Sequence, residues 1–260
     1  MVHFVGAGPG AEDLITVRGR TLLEQADCVI YAGSLVNPVL LKAAGENCRI
    51  FNSAYMTLDE VIAVMRETEA QGLTTVRLHT GDPSLYGAVQ EQMDRLDALG
   101  IPWDVTPGVS SFCGAAAALG MEYTLPGISQ SVIITRMEGR TEVPERESVE
   151  SFAAHGATMV LFLSAGMIPE LAAALIRGGY TGDTPAAIVY KATWPDEVCI
   201  VTDIRHLEEE AERKGIRKTA LIIVGNAAAR RGSALSKLYD PSFSTEYRKA
   251  DRKQKDGKAE

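Results

Sequence analysis

The 260-residue chain opens on a short apolar run followed by Gly6-Ala7-Gly8-Pro9-Gly10-Ala11, which satisfies the dinucleotide-binding pattern G-x-G-x-x-G/A letter for letter. Such a site needs glycines that let the backbone approach a pyrophosphate, free amides at a helix start, and an acid closing the second strand to hold a ribose. Only the glycines are supplied cleanly. Pro9 has no N–H to donate. Asp27 precedes the apolar run CVIY instead of closing it, and Glu12 and Asp13 would repel a diphosphate. The loop therefore reads as backbone brought close to some other ligand, or as a tight strand-to-helix turn and no more. A nucleotide-dependent oxidoreductase built on this loop is the competing class.

Two further turns carry polar groups. Thr80-Gly81-Asp82-Pro83 follows the apolar run TTVRLHT, and Thr106-Pro107-Gly108-Val109-Ser110-Ser111 opens a small-residue stretch, FCGAAAALG. Asp82 either caps the following helix or helps present backbone groups to an adenosine-like ligand. Small residues on a helix mean close packing against a neighbour, while Ser110 and Ser111 add hydroxyls at its start. No G-x-S-x-G elbow and no Cys/His pairing marks a protein nucleophile. Among His3, His79, His155 and His206 only His79 adjoins a candidate ligand loop, and it reads equally as a packed strand residue.

The elements that must position these loops follow from alternation. VHFV, CVIY, CRIF, TTVRLHT and WDVT read as strands, separated by the helical stretches TVRGRTLLEQA, NPVLLKAA, TLDEVIAVMRETEAQG and YGAVQEQMDRLDALG. Strands separated by helices pair in parallel, and ligands of such open sheets lie beyond the strands' carboxyl ends. The pattern breaks at Leu125-Pro126-Gly127, and a new series follows with SVIITR, TMVLFLS, PAAIVYKA, EVCIVTD and TALIIVG, interrupted by helices over IPELAAALIRGG and LEEEAERKG. AIVYKATWPDEVCIV reads as a hairpin, which makes the second sheet mixed. The expected fold is thus two α/β domains, 1–126 with an open, mostly parallel sheet and 127–240 with a mixed one. The site lies in the cleft between them. Residues 241–260, rich in Arg and Lys, read as a flexible basic tail.

Bulk properties narrow the classes. Hydrophobic residues make up 46% of the chain and the formal net charge is -8, which argues against a dedicated nucleic-acid binder. No run reaches the roughly 18 apolar residues of a membrane span, and the start lacks a signal-peptide pattern. A soluble, cytoplasmic protein is expected. Cys28, Cys113 and Cys199 lie in apolar stretches and are expected to be buried, Cys48 does not, and no spacing fits a metal.

Taken in order and spacing, VGAGPG, HTGDPSLYGA, TPGVSS, VLFLSAG, YKATWPDE and TALIIVG resemble the tetrapyrrole methylases that use S-adenosylmethionine. The resemblance runs to about residue 240. Within that family ITRMEGRTEVPERE and KLYDPSFSTEYR look like the branch that methylates precorrin-4 at C(11) in cobalamin synthesis. The resemblance implies a homodimer, with S-adenosylmethionine folded into the interdomain cleft. Its contacts would fall on Pro9, on Thr80, Gly81, Asp82 and Leu85, on Ser110 and Ser111, and on Ala165 and Ala192. Sibling methylases often carry Gly for Thr80, Met for Ala165 and Gly for Ala192, so backbone contacts carry over more firmly than side-chain ones.

A precorrin bears many carboxylates, so an acidic chain must concentrate positive charge locally. Arg136, Arg140, Arg146 and Lys191 are the candidates, with His79 beside the fourth-strand loop. Arg140 and Arg146 have Glu138, Glu142, Glu145 and Glu147 near them in sequence as ion-pair partners on a solvated loop. Trp194 either packs on a flat macrocycle or closes the hairpin. A methylase acting at another ring carbon, on a protein or on an RNA base, and a non-catalytic S-adenosylmethionine sensor, remain as alternatives.

Overall fold

The first series of alternating runs becomes five strands, β1 (Val2–Gly6), β2 (Cys28–Tyr31), β3 (Arg49–Asn52), β4 (Thr75–His79) and β5 (Trp103–Thr106), in a computed structural model that describes residues 1–229, 236 and 238–250. They pair in parallel in the order β3-β2-β4-β1-β5. Because β4, β1 and β5 are neighbours, three turns separated by tens of residues in sequence emerge side by side at one carboxyl edge. Helices α1 (Val17–Glu24), α2 (Leu58–Ala70) and α3 (Gln90–Ala98) complete this half. A capping box between Thr57 and Glu60 starts α2, whose Val61, Ile62 and Met65 turn inward at helical spacing. Residues 38–43 form a 3-10 helix in place of the expected α-helix.

The second series gives β6 (Val132–Arg136), β7 (Thr158–Phe162), β8 (Pro185–Tyr190), β9 (Val198–Asp203) and β10 (Ala220–Val224), ordered β6-β7-β10-β8-β9. Only the β6–β7 pair is parallel, and the sheet is mixed as expected. Helices α5 (Val149–Ala153), α6 (Ile168–Arg177) and α7 (Leu207–Arg213) cover one face, around Met159, Leu161, Ile188 and Ile222. The short α5 carries too little periodicity to be read from sequence. The other face is covered by α4 (Ser111–Leu119) from the first half, whose Ala115 and Leu119 pack with Val160, Val189 and Ile223. Its small residues thus serve close approach: a Cβ on Gly114 would lie 2.9 Å from Pro9 Cβ.

Two expectations are corrected. Cys28 is buried, but Cys113 and Cys199 are exposed. Cys199 sits on the edge strand β9, where alternation turns Ile200 inward and Cys199 and Val201 outward. The stretch YGAVQEQMDRLDALG is not helical throughout. Tyr86 and Ala88 have φ of 56° and 48°, and α3 begins only at Gln90.

Candidate functional site

Three of the opening loop's amides are already committed. Ala7 N–H donates to His79 O at 2.7 Å, Gly8 N–H to Gly81 O at 3.3 Å, and Ala11 N–H to Thr193 Oγ1 at 3.0 Å. Pro9 has no amide to offer. Gly6 is glycine because a Cβ there would lie 2.5 Å from Gly108 Cα and 2.6 Å from Gly81 O. Asp27, the acid a ribose would need, accepts from Thr74 N and Oγ1 instead. The fingerprint therefore packs three turns together, with the Ala7, Gly8 and Ala11 amides withheld from a phosphate.

The clustered turns instead form one side of a cavity of about 760 Å³, within the range of small-molecule sites. Pro9 lines it from the first turn, Thr80, Gly81, Asp82 and Leu85 from the second, and Ser110 and Ser111 from the third. Ala165 after β7 and Ala192 after β8 face them from the second half. All nine positions singled out as donor contacts line this one space. Asp82 braces it: its carboxylate accepts from Ser84 N at 2.9 Å, from Ser84 Oγ, and from Gly108 N at 2.8 Å. Burial opposes its ionisation, but these hydrogen bonds outweigh it and hold its pKa below the ordinary carboxylate value.

The two halves are clasped at the cavity floor. Trp194 Nε1–H donates to Pro9 O at 3.0 Å, so the indole faces the first loop as well as the cavity. Lys191 also lines the cavity. Its ammonium donates to Asp196 at 2.6 Å and lies 5.2 Å from the Trp194 ring centre. Backbone strain concentrates here. Among the described residues every non-glycine with positive φ, except Ala88 and Thr193, lines the cavity: Tyr86, Leu163, Lys191 and Thr219. The two exceptions lie within two residues of Tyr86 and Lys191. Strain of this kind persists where the surrounding structure enforces it, and it clusters at ligand sites.

Of the proposed acceptor-binding residues, Lys191 and Arg140 line the cavity, while His79, Arg136 and Arg146 fall elsewhere. His79 is 4% exposed, stacks on Phe4, and its Nε2 has no partner. Burial, with Arg77 beside it, pushes its pKa down to about 3, so it is a neutral core residue and does not face the cavity. Arg136 points into its own loop, donating to the carbonyls of Met137, Thr141 and Glu142 at 2.9–3.1 Å. It shapes the turn that carries Arg140, and Arg140 is the arginine lining the cavity. Arg217 and Lys218, just before β10, join it there. No carboxylate is paired with Arg140, Arg217 or Lys218 among the described residues. Sequence reasoning missed the last two because it looked only at strand carboxyl ends. β10 runs antiparallel to β7 and β8, so its amino end reaches the same rim.

The wall thus combines backbone and hydroxyl groups with an apolar patch including Leu85, Phe162 and Leu221. Arg140, Arg217 and Lys218 line the cavity without a paired carboxylate among the described residues, Lys191 is paired with Asp196, and the one carboxylate in the lining, Asp82, has its hydrogen-bonding capacity largely used. On a chain of net charge -8 this is a local inversion, suited to an anionic ligand.

Comparison with known proteins gives concordant results. A sequence profile described as Tetrapyrrole (Corrin/Porphyrin) Methylases matches residues 1–208. The cobalt-precorrin-4 C(11)-methyltransferase of Methanocaldococcus jannaschii is 50% identical over 252 residues, 97% of each chain. The precorrin-4 C(11)-methyltransferase of Rhodococcus erythropolis is 43% identical, covering 92% of this chain and 96% of its own. The X-ray structure of a cobalt precorrin-4 methyltransferase superposes with a TM-score of 0.85 at 44% identity, over 87% of this chain and 95% of that one. A uroporphyrin-III C-methyltransferase from Thermus thermophilus, complexed with S-adenosyl homocysteine, gives 0.73 at 25% identity over 90% and 95%.

Proposed function

Because the chain belongs to the tetrapyrrole (corrin/porphyrin) methylases, we propose that it transfers a methyl group from S-adenosylmethionine to C(11) of precorrin-4 or of its cobalt-bearing form, in cobalamin synthesis. The observation that carries this reading is the near end-to-end match to methyltransferases of that name, 97% of both chains at 50% identity.

The cavity fits such a donor in size and lining. S-adenosylmethionine supplies an already activated methyl group, so the protein's task is alignment and exclusion of water. Thr80, Gly81, Asp82, Ser110 and Ser111 would hold the donor from the first half, and the Ala165 and Ala192 turns would close over it from the second. Small residues at 165 and 192 let backbone do the contacting. Arg140, Arg217 and Lys218, with Lys191 beside them, would take the acceptor's carboxylates, since arginine forks match that geometry. No histidine lines the cavity among the described residues, and Asp82 is tied to neighbouring amides. The wall's contribution is placement.

The same reading carries a cytoplasmic homodimer and no nucleic-acid substrate. Among the described residues no helix is long and apolar enough to cross a membrane. It also carries the division into domains 1–126 and 127–240 with a tail over 241–260. Of that tail, 251–260 lies outside the described residues, and 241–250 is turned around Arg248, which donates to Leu238 O and Asp240 O.

Incubation with S-adenosylmethionine and precorrin-4, or its cobalt form, tests the proposal by mass spectrometry. One added methyl located at C(11) is expected in at least one acceptor. Methylation at another carbon would move the protein to a sibling activity, and donor binding without turnover would make it a sensor. A thermal shift with NAD or NADP but not S-adenosylmethionine would restore the oxidoreductase reading.

A further inference from the structure

Behind the cavity wall lies a buried arginine that no role above accounts for. Arg77 is 6% exposed in the middle of β4 and is paired with no carboxylate among the described residues. Its guanidinium donates through Nε to Gln92 Oε1 at 2.9 Å and through Nη1 to Ile30 O at 3.1 Å. Gln92, 5% exposed on α3, donates in turn through Nε2 to Ala88 O at 2.8 Å. A guanidinium has donors only, so it fixes which end of the Gln92 amide faces it and forces the –NH2 toward Ala88.

The segment on the receiving end is strained. Tyr86 and Ala88 both have left-handed φ, and between them Gly87 turns back on Pro83 so closely that a Cβ would collide with the Pro83 carbonyl. Leu85 and Tyr86 of this segment line the cavity, and the Tyr86 ring lies 5.3 Å from that of Phe162 across the cleft. A side chain that wanted only to fill the core would be apolar here, because a buried cation without a counter-charge is costly.

We propose that Arg77 and Gln92 are positioning residues that set the cavity wall: the guanidinium orients the Gln92 amide, and the amide clamps the Ala88 carbonyl and with it the left-handed turn presenting Leu85 and Tyr86. This rests on the methyltransferase reading for its kinetic consequence, though its structural consequence is independent of it. Neither residue lines the cavity, so the pair acts through the turn.

Gln92→Glu tests it. A carboxylate at this position still accepts from Arg77, now as an ion pair, but cannot donate to Ala88 O. The expected result has three parts: a melting temperature at or above wild type, amide exchange between Leu85 and Val89 accelerated at least tenfold, and kcat lowered about tenfold with donor affinity unchanged. Unchanged exchange would overturn the proposal, and so would faster exchange with unchanged kcat. A melting temperature far below wild type, with every parameter lost together, would make Gln92 a core support only and overturn it too. If the wild-type protein itself methylates no precorrin, the methyltransferase reading falls, while the exchange measurement still decides whether the clamp exists.

Discussion

The indole of Trp194 occupies the space that a side chain on Gly10 would need. A Cβ built there falls well inside contact distance of indole Cδ1 and Nε1, while the same Nε1–H is committed to Pro9 O at 3.0 Å. One residue pair, 184 positions apart, thus joins the halves at the base of the cavity and fixes the loop carrying Lys191.

Gly10→Ala should displace the ring, break its bond to Pro9 and release the 191–194 turn. Overpacking of this kind costs about 1–3 kcal/mol. The expected outcome is a lowered urea midpoint, a shifted tryptophan emission and weaker S-adenosylmethionine binding by calorimetry. An alanine variant with unaltered emission and affinity would show that the clasp does not shape the site.

Asp82→Asn probes the brace between the β4 and β5 turns. An amide keeps one acceptor oxygen but points an –NH2 at one of the Ser84 and Gly108 N–H groups. The stability loss expected from a charged acceptor that leaves such a donor unmet is about 1–3 kcal/mol at pH 7. The sign with pH follows from the lowered pKa: the carboxylate's contribution is complete above its unfolded value, near 3.9, and fades as pH falls through the lower folded value. Urea melts of both proteins should differ at pH 7, and the gap should narrow as pH falls below the unfolded carboxylate value. A gap that does not change with pH would count against the carboxylate as brace.

Much of this was legible in the chain itself. Period and punctuation located all ten strands, because β-rich runs such as CVIY and TALIIVG are short and bounded by turns. The three turns at 6–11, 80–85 and 106–111 could be placed at one edge because parallel sheets put ligands at strand carboxyl ends. What failed was inference from local charge. Arg136 looked available, yet its own loop supplies three carbonyls that absorb the guanidinium. Arg217 and Lys218 lie between the helical stretch LEEEAERKG and the strand TALIIVG, where no strand carboxyl end pointed to a site, and only the antiparallel pairing of β10 brings them to the rim. The left-handed turn at 86–88 was invisible as well. The stretch YGAVQEQMDRLDALG reads as one helix, whereas Tyr86 and Ala88 have φ of 56° and 48° and Gln92 Nε2 donates to Ala88 O.

Removing rim charge should act on the acceptor alone. Arg140→Ala and Arg217→Ala are each expected to raise the KM for the tetrapyrrole about two- to fivefold at low salt, leaving donor affinity unchanged. The effect should shrink in high salt, because exposed charges are screened over about 8 Å at physiological ionic strength. Arg136→Ala should also weaken acceptor binding more than donor binding, here by loosening the turn that carries Arg140. Equal loss of both ligands in calorimetry would refute the assignment of this rim to the acceptor.

His79→Leu gives the opposite kind of outcome, a gain. The imidazole is buried with Nε2 unpartnered and its pKa pushed down to about 3, so folding forbids a protonation the unfolded chain allows near 6.5. Stability from this group is therefore complete above about pH 6.5 and is lost as pH falls toward 3. Leucine removes both the orphaned nitrogen and that titration. At pH 7 the variant should be near wild type in stability and keep its methyl transfer. Between pH 6.5 and pH 4.5 its urea midpoint should fall less than that of the wild-type protein. A variant that lost turnover at pH 7 while folding normally would return His79 to the reacting site, against its position in the core.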